Sequence, residues 1–435
     1  MASTTQHVPD LLRIATAGSV DDGKSTLVGR LLYDTKSVLA DQIDAVTKAS
    51  VDRGLDTPDL SLLVDGLRAE REQGITIDVA YRYFATPARS FVLADTPGHV
   101  QYTRNTVSGS STAQLVILLV DARTGVVAQT RRHAAVMALL GVPQLVLAVN
   151  KIDLVTDQAS VFAEISAEFA DLTRSLGWSA EQVTAIPVSA LHGDNVAHRS
   201  ETTSFYDGPT LIEHLETVPN LVERNDVGLR FPVQYVIRPR TPEHPDYRGY
   251  AGQIAAGRVS VGDEVVVLPS GQRTTVSQID TADGELPTAH TGRSVTILLA
   301  DDVDISRGDL IAAAADAPEP LQQFSATVCW LAEKPLRPGA RLLLKHGTKT
   351  TQAIVGALDA LFDEQNLALV EAPESVELNQ IVRISVQTAE PIPADDYQVN
   401  RESGSFLLID PQGGNTLAAG LVGDALAPLH LKELV

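Results

Sequence analysis

Cysteine is almost absent from this chain, which has one in 435 residues. That single residue, Cys329, excludes an internal disulfide and a metal site built from cysteines. It lies in a strand-like apolar run, so we expect a small, buried hydrophobic side chain. Apolar runs of the roughly 18 residues that span a bilayer are also missing, and residues 1–10 lack the apolar core of a signal peptide. These absences predict a soluble, cytoplasmic protein.

Positive charge is scarce as well. The chain carries 34 Lys and Arg against 55 Asp and Glu, which gives a net charge of −21. Nucleic-acid binding depends on clustered cations that neutralise phosphates, so the excess of negative charge argues against general binding of nucleic acid. A local basic patch remains compatible with this net charge. The length predicts two to four domains, and the apolar fraction of 44% is sufficient for well-packed cores.

The first half of the chain alternates apolar, strand-like runs with helical patterns from residue 11 to about 219. Runs 91–94, 115–120 and 145–149 are almost continuously apolar, which is typical of parallel strands covered on both faces. The pattern predicts a doubly wound, mostly parallel α/β sheet. These runs end at Asp95, Asp121 and Asn150, so their polar side chains are expected at the sheet edge where such folds bind ligands.

The second half changes character after residues 220–226. Short runs such as 231–237 and 263–268 are punctuated by Gly, Pro, Asp and Asn, which favours all-β barrels or sandwiches. A second break, rich in Ala and Pro, falls at residues 312–320. We therefore expect a nucleotide-binding domain over 1–222 and two β-barrel domains over 223–317 and 318–435.

A phosphate-binding loop is predicted between the first strand and the first helix, where the sequence has the pattern G-x-x-x-x-G-K-S. Its backbone N–H groups and the helix dipole would bind phosphates, Lys24 would reach the β- and γ-phosphates, and Ser25 would bind Mg²⁺. The alternative is a surface turn between a strand and a helix. The predicted nucleotide-binding residues here are Gly18, Ser19, Val20, Asp21, Asp22, Gly23, Lys24, Ser25 and Thr26.

Two further loops follow buried strands. The D-x-x-G sequence Asp95, Thr96, Pro97, Gly98 would hold Mg²⁺ through the carboxylate and the γ-phosphate through the glycine N–H, although turns also favour these residue types. In the N-K-x-D sequence, Asn150 would hold the far edge of guanine, Lys151 would lie along it and Asp153 would accept two hydrogen bonds from it. A strand-end turn with a helix cap is the alternative. The sequence Ser189, Ala190, Leu191 fits the loop that completes a guanine pocket.

Two more candidates surround the D-x-x-G sequence. Thr76, in the charged segment 70–77, is placed to bind Mg²⁺ and to sense the γ-phosphate, so this segment would act as a switch. The residues alone fit a charged helix end at Gly74 equally well. His99 follows Gly98 directly and would orient the attacking water, since phosphoryl transfer depends mainly on positioning and electrostatics. A histidine satisfied by local backbone is the alternative for His99.

Taken together, the motifs G-x-x-x-x-G-K-S, G-I-T-I, D-T-P-G-H, N-K-x-D and S-A-L resemble those of the translation-factor class of GTPases. Residues 18–27, 63–84 and 94–105 look closer still to the GTP-binding large subunit of sulfate adenylyltransferase. The resemblance implies a P-loop GTPase domain followed by two β-barrels, with GTP and Mg²⁺ as cofactors. The resemblance favours the interpretation of the segment around Thr76 as a switch. It implies catalytic roles for His99, Lys24 and Thr76. It also implies that Ser25, Thr76 and Asp95 bind Mg²⁺.

The resemblance also implies a partner. A separate small subunit would bind ATP and sulfate and form adenylyl sulfate and pyrophosphate, while this chain would hydrolyse GTP to drive that step. In related GTPases the position of Asp21 helps to hold a monovalent cation. Some family members carry a fused adenylyl-sulfate kinase, which is not expected here because these residues contain no second P-loop.

One alternative comes from another functional class, a translation elongation factor that carries aminoacyl-tRNA. Factors of the Tu type share the layout but typically have His where this chain has Ser19 and Asp22. The net charge of −21 also argues against tRNA binding, although weakly because such contacts are local.

Overall fold

The computed structural model describes residues 10–52, 54, 57–64, 79–98, 103–220, 227–239, 246–363, 366–371, 373–427 and 432–433. The chain divides into two compact units. The first consists mainly of Met1–Val222, and the second mainly of Glu223–Asp363 and Ala368–Ala427. Within the described ranges, no helix has both the length and the apolar character needed to cross a membrane.

The first unit is built on a mostly parallel sheet with strand order β2-β3-β1-β4-β5-β6. Strand β2 is antiparallel to β3, and the remaining neighbours are parallel. All seven residues of β4 and of β5 are buried, as continuous apolar runs require in a sheet covered on both faces. The strands are β1 Leu11–Gly18, β2 Ala80–Ala85, β3 Ser90–Asp95, β4 Leu115–Asp121, β5 Gln144–Asn150 and β6 Val183–Pro187.

Helices follow the strands, and several of them bury an apolar face against the sheet. One core cluster joins Leu27 and Leu31 of α1 and Leu211 and Leu215 of α6 to strand residues. The described helices are α1 Lys24–Asp34, α2 Ala40–Asp52, α3 Thr103–Ser110, α4 Ala128–Leu139, α5 Gln158–Ser175 and α6 Leu211–Thr217. The predicted doubly wound α/β domain is therefore confirmed.

The second unit is all-β, and its described residues form two large hydrophobic cores and a smaller cluster of Val266, Leu268, Leu310 and Ala312. The larger sheet around the first core has the order β7-β16-β11-β12-β15-β9-β8. Its region holds β7 Arg230–Pro232, β8 Tyr235–Ile237, β9 Gly249–Gln253, β10 Arg258–Ser260, β11 Glu264–Leu268, β12 Gln272–Thr281, β13 Gly284–Glu285, β14 Thr288–His290, β15 Ser294–Leu299 and β16 Leu310–Ala313.

The second core is enclosed by a sheet of order β18-β22-β23-β17-β21-β19-β20-β24, in which β18 also pairs with β19 and closes the barrel. Cys329 in β17 is 4% exposed, which confirms the expected buried side chain. The strands are β17 Leu321–Trp330, β18 Arg341–His346, β19 Lys349–Asp363, β20 Ala368–Glu371, β21 Ile381–Ile392, β22 Ser405–Ile409, β23 Thr416–Val422 and β24 Lys432–Glu433.

A buried ion pair connects the two halves of this β unit. The Arg230 guanidinium donates from Nε and Nη2 to the Asp395 carboxylate at 2.9 and 3.0 Å, and from Nη2 to the Asp316 carbonyl at 2.8 Å. Arg230 is 3% exposed and Asp395 is 7% exposed. The Ser403 hydroxyl donates to the same carboxylate. Because both charges are desolvated, removal of either partner leaves an uncompensated charge in the interior.

We predict that Asp395→Ala destabilises the β unit by about 3 kcal/mol, because the Arg230 guanidinium then stays buried without its counter-ion. Denaturant unfolding followed through the fluorescence of Trp330, which is itself buried in β17, measures the change. Glu390→Ala is the matched control. Glu390 pairs with Lys349 at 2.9 Å but is 68% exposed, so its loss costs less than about 1 kcal/mol. Equal losses in the two variants would contradict the assignment.

Candidate functional site

The loop between β1 and α1 has the geometry of a phosphate-binding loop. Asp21 and Gly23 adopt left-handed backbone angles, with φ of 69° and 91°. A Cβ atom on Gly23 would lie 2.4 Å from Asn150 Nδ2, so the position admits only glycine without movement of Asn150. The Asp22 carboxylate accepts a hydrogen bond from the Ser19 N–H at 2.6 Å and holds the loop in its turn.

Lys24 lies at the start of α1 and turns its ammonium group back over this loop. Its Nζ donates to the carbonyl oxygens of Gly18 and Ser19, at 2.8 Å each. The side chain is 7% exposed, and burial lowers the pKa of Lys24, although the nearby Asp95 and Asp22 carboxylates oppose that shift. No side chain caps the N-terminus of α1, so its first-turn N–H groups, next to this cation, are groups of the kind that bind anions.

The D-x-x-G sequence at the end of β3 lies against the same loop. The Thr16 hydroxyl donates to the Asp95 carboxylate at 2.8 Å, and the Thr96 hydroxyl donates to the Thr16 carbonyl at 2.6 Å. A Cβ atom on Gly98 would lie 2.3 Å from Lys24 Nζ and 2.6 Å from the Gly18 carbonyl. Glycine is therefore required where this segment passes over the phosphate-binding loop.

Asn150 joins the phosphate-binding loop to the loop after β6. Its Nδ2 donates to the Asp22 carbonyl at 2.7 Å, and its Oδ1 accepts the Ala190 N–H at 3.0 Å. Asn150 is 2% exposed. A carboxamide has one donor and one acceptor end, so a single side chain satisfies a carbonyl on one loop and an N–H on the other.

Lys151 follows in a left-handed conformation, with φ of 59°. Its Nζ donates to the Asp21 carbonyl at 2.5 Å and lies 3.0 Å from Asp121 Oδ2. Burial raises the pKa of Asp121, but hydrogen bonds from Arg123 and Lys151 outweigh that effect and hold the pKa well below its usual value. The Lys151 stem is thereby stretched across the loop edge between two anchoring oxygens.

Asp153 and residues 189–191 complete the arrangement. The Asp153 carboxylate is 21% exposed and lies 3.7 Å from His192 Nε2. Ser189 Oγ accepts the His192 N–H at 3.3 Å. Arg30 of α1 donates to the carbonyl oxygens of Ala190 at 3.2 Å and Leu191 at 2.5 Å. Helix α1 thus holds the loop after β6 through these two hydrogen bonds.

The structure brings the predicted residues of four separate loops to the carboxyl edge of one sheet. Ser25 and Thr26 are partly buried on α1, and Val20 and Asp21 are exposed at the loop tip. Thr76 and His99 lie outside the described residues, as does the rest of segment 70–77. Their predicted roles stay predictions.

Sequence inspection missed three contributions to this site. The Asp22 side chain closes the phosphate-binding loop, Asp121 anchors Lys151, and Arg30 supports the loop after β6. Asp121 was recognisable as the polar residue that ends an apolar strand, but its partner was not. The role of Arg30 depends on a contact across 160 positions of sequence, for which no local signal exists.

Comparison with known proteins defines the class of this chain. Residues 9–224 match the model of the elongation factor Tu GTP binding domain, and residues 323–423 match the eEF1A-type C-terminal domain model. The chain therefore carries a P-loop GTPase domain of translation-factor type, followed by β-barrel domains.

Full-length relatives narrow this class. Sulfate adenylyltransferase subunit 1 of Saccharophagus degradans is 46% identical over 419 residues, which cover 96% of this chain and 88% of the relative. The same-named protein of Aliarcobacter butzleri is 45% identical over 95% of this chain and 87% of its own length. The bifunctional enzyme CysN/CysC of Mycobacterium tuberculosis H37Rv is 54% identical over 95% of this chain and 67% of its own length. The chain belongs to the sulfate adenylyltransferase subunit 1 family.

We predict that Asn150→Ala lowers both nucleotide affinity and stability. The variant leaves the Asp22 carbonyl and the Ala190 N–H without their buried partner, and each such loss costs about 1–3 kcal/mol. Gln182→Ala is the control, because Gln182 likewise joins two backbone groups, the Pro143 carbonyl and the Ser179 N–H, at the opposite edge of the sheet. Thermal unfolding and titration with a fluorescent GDP should show both losses for Asn150→Ala. Gln182→Ala should lose stability alone, and reduced GDP affinity in that control would contradict the prediction.

Proposed function

We propose that this chain is the GTP-hydrolysing large subunit of a heteromeric sulfate adenylyltransferase. Hydrolysis of GTP here would drive the formation of adenylyl sulfate and pyrophosphate from ATP and sulfate in a partner subunit. The observation that carries the proposal is Asn150, whose side chain connects the phosphate-binding loop to the loop after β6 at 2.7 and 3.0 Å. The names of the full-length relatives support the assignment to sulfate activation.

The phosphate end of the nucleotide fits the site around Lys24. The ammonium group and the uncapped N-terminus of α1 form a positively charged site, and the Gly98 backbone lies close to it. Ser25 and Asp95 are the proposed Mg²⁺ ligands on described elements, and Thr76 is a third proposed ligand. Bound magnesium would supply neutralisation of phosphate charge, while Lys24 holds the β- and γ-phosphates in place.

The base end would lie between Lys151 and residues 189–191. The Asp153 carboxylate would accept hydrogen bonds from the N1–H and the exocyclic amino group of guanine, a donor pair that adenine lacks. Ser189, Ala190 and Leu191 would complete the guanine pocket, and Lys151 would lie along the far edge of the base that Asn150 holds. Support comes from the anchored Lys151 stem and from the partly exposed Asp153 carboxylate.

The roles of His99 and Asp21 are proposed from the family resemblance and not from the geometry of the site. His99 would orient the attacking water, and Asp21 would help to hold a monovalent cation through its exposed side chain at the loop tip. We also propose domain limits at 1–222, 223–317 and 318–435 and a cytoplasmic location. The partner would be a small ATP- and sulfate-binding subunit, in keeping with relatives that are themselves named subunit 1.

The coupling itself can be tested with the full chain. It is combined with the small subunit of a relative's sulfate adenylyltransferase, ATP, sulfate and Mg²⁺, with GTP or with a non-hydrolysable GTP analogue. Adenylyl sulfate should accumulate well beyond the GTP-free level only with GTP, and potassium replaced by sodium tests the cation at Asp21. Accumulation that is indifferent to GTP would refute the proposed function, and tight GTP-dependent capture of aminoacyl-tRNA would favour the translation-factor alternative.

We predict that Asp153→Asn shifts base preference from guanine toward xanthine. The amide retains one acceptor and gains a donor, which matches the exchange of the guanine amino group for the xanthine carbonyl. Competition of GDP and XDP for the site measures the preference, which should move by at least about tenfold, or 1.4 kcal/mol. Asp157→Asn is the control, since Asp157 caps α5 outside the proposed pocket. Unchanged selectivity would remove Asp153 from the pocket.

For His99→Ala we predict hydrolysis slowed by on the order of 100-fold with nearly unchanged GTP affinity, because an orienting residue acts on the attacking water rather than on the bound nucleotide. Single-turnover hydrolysis and equilibrium binding separate the two effects. A fall in affinity with turnover retained would reverse the proposed role.

A further inference from the structure

Helix α4 carries two polar side chains that reach the end of the D-x-x-G sequence. Gln129 Nε2 donates to the Gly98 carbonyl at 3.2 Å and lies 3.0 Å from His133 Nε2. The two side chains are one helical turn apart, so they lie on the same face of α4. Gln129 is partly buried, and His133 is 4% exposed.

The donors and acceptors of the Gly98 carbonyl, the Gln129 amide and the His133 ring determine which atoms of this contact carry hydrogens. The Gly98 carbonyl only accepts, so the Gln129 amide nitrogen, and not its oxygen, must face it. That nitrogen has no lone pair to offer, so His133 Nε2 must accept its second hydrogen. His133 therefore carries its proton on Nδ1 and is neutral. Consistent with this, burial lowers the pKa of His133 to about 3, with the nearby positive charges of Lys24 and Arg132 acting in the same direction.

The hydrogen bond to the Gly98 carbonyl places Gln129 next to the phosphate-binding loop. A Cβ on Gly98 would lie 2.3 Å from Lys24 Nζ and 2.6 Å from the Gly18 carbonyl, so the Gly98 backbone is in contact with the phosphate-binding loop. The Gly98 carbonyl belongs to the peptide that leads into His99. The Gln129 side chain on helix α4 thus holds the carbonyl group of Gly98, the proposed γ-phosphate contact.

We propose that Gln129, held by neutral His133, is a positioning residue for GTP hydrolysis that holds the Gly98 carbonyl in place beside the phosphate-binding loop. This inference rests on the proposed function of the site and adds a residue to it. Gly98 is the proposed contact of the γ-phosphate, so the effect of Gln129 depends on that phosphate. GDP lacks that phosphate, so Gln129 affects GTP binding and hydrolysis and leaves GDP binding nearly unchanged.

Two substitutions at Gln129 separate a hydrogen-bonding role from simple packing. Gln129→Met keeps the length of the side chain and removes the donor, and Gln129→Glu replaces the donor with a carboxylate that the Gly98 carbonyl repels. His133→Phe keeps a ring of similar size and removes the acceptor that fixes the amide. Gln182→Met is the matched control, because Gln182 Nε2 also donates to a backbone carbonyl, that of Pro143, at 2.9 Å.

The test uses the full-length chain and four measurements: the single-turnover rate of GTP hydrolysis, the affinities for GDP and for a non-hydrolysable GTP analogue, and the melting temperature. We expect hydrolysis to fall at least about tenfold in Gln129→Met, further in Gln129→Glu and less in His133→Phe, a tenfold change being about 1.4 kcal/mol in barrier. The preference for the GTP analogue over GDP should fall in the same order. GDP affinity should stay within about twofold of that of Gln182→Met.

The outcomes distinguish this inference from the function on which it rests. If the unmodified chain binds and hydrolyses GTP and the Gln129 variants behave like Gln182→Met, Gln129 has no positioning role and the proposed function stands. A packing role would give Met and Glu variants that lose stability and GDP affinity together, which also overturns the inference. If the unmodified chain binds no guanine nucleotide, the proposed function and this inference both fail.

Discussion

A single buried carboxamide organises the whole candidate site. Asn150 ends a fully buried strand, and its two polar ends connect the turn of one loop to the backbone of another. Because Gly23 must lack a side chain to let Asn150 approach, the glycine of the first motif and the asparagine of the third are parts of one contact. One residue thus fixes the loop between β1 and α1 and the loop after β6 relative to each other.

Much of the first unit follows from local patterns. Continuous apolar runs at 115–120 and 145–149 correspond to strands that are buried along their entire length, because only a sheet covered on both faces accommodates such runs. The strand ends then bring Asp95, Asp121 and Asn150 to one edge. The loop motifs and their strand–helix context therefore predict that most candidate residues lie close together.

Contacts between residues far apart in the sequence could not be predicted from local patterns. Arg30, Asp121 and Gln129 occupy ordinary positions on helices or strand ends, and their partners are known only from the fold. The apolar run at 231–237 belongs to the all-β unit, as predicted, but the sequence did not reveal its division. It forms two short strands, β7 and β8, because β7 ends at Pro232, and the next two N–H groups bond to Asp309 and Ala251 instead of continuing one ladder.

The Arg230–Asp395 pair has a consequence for the newborn chain. Its two members are 165 positions apart, and at bacterial or eukaryotic elongation rates the ribosome needs roughly ten to thirty seconds to deliver the second after the first. During that interval the guanidinium has no carboxylate from Asp395 to accompany it into the interior. The Arg230 side chain therefore leaves the ribosome before its buried counter-ion has been made, and this contact between the two halves of the β unit forms only after residue 395 has been added.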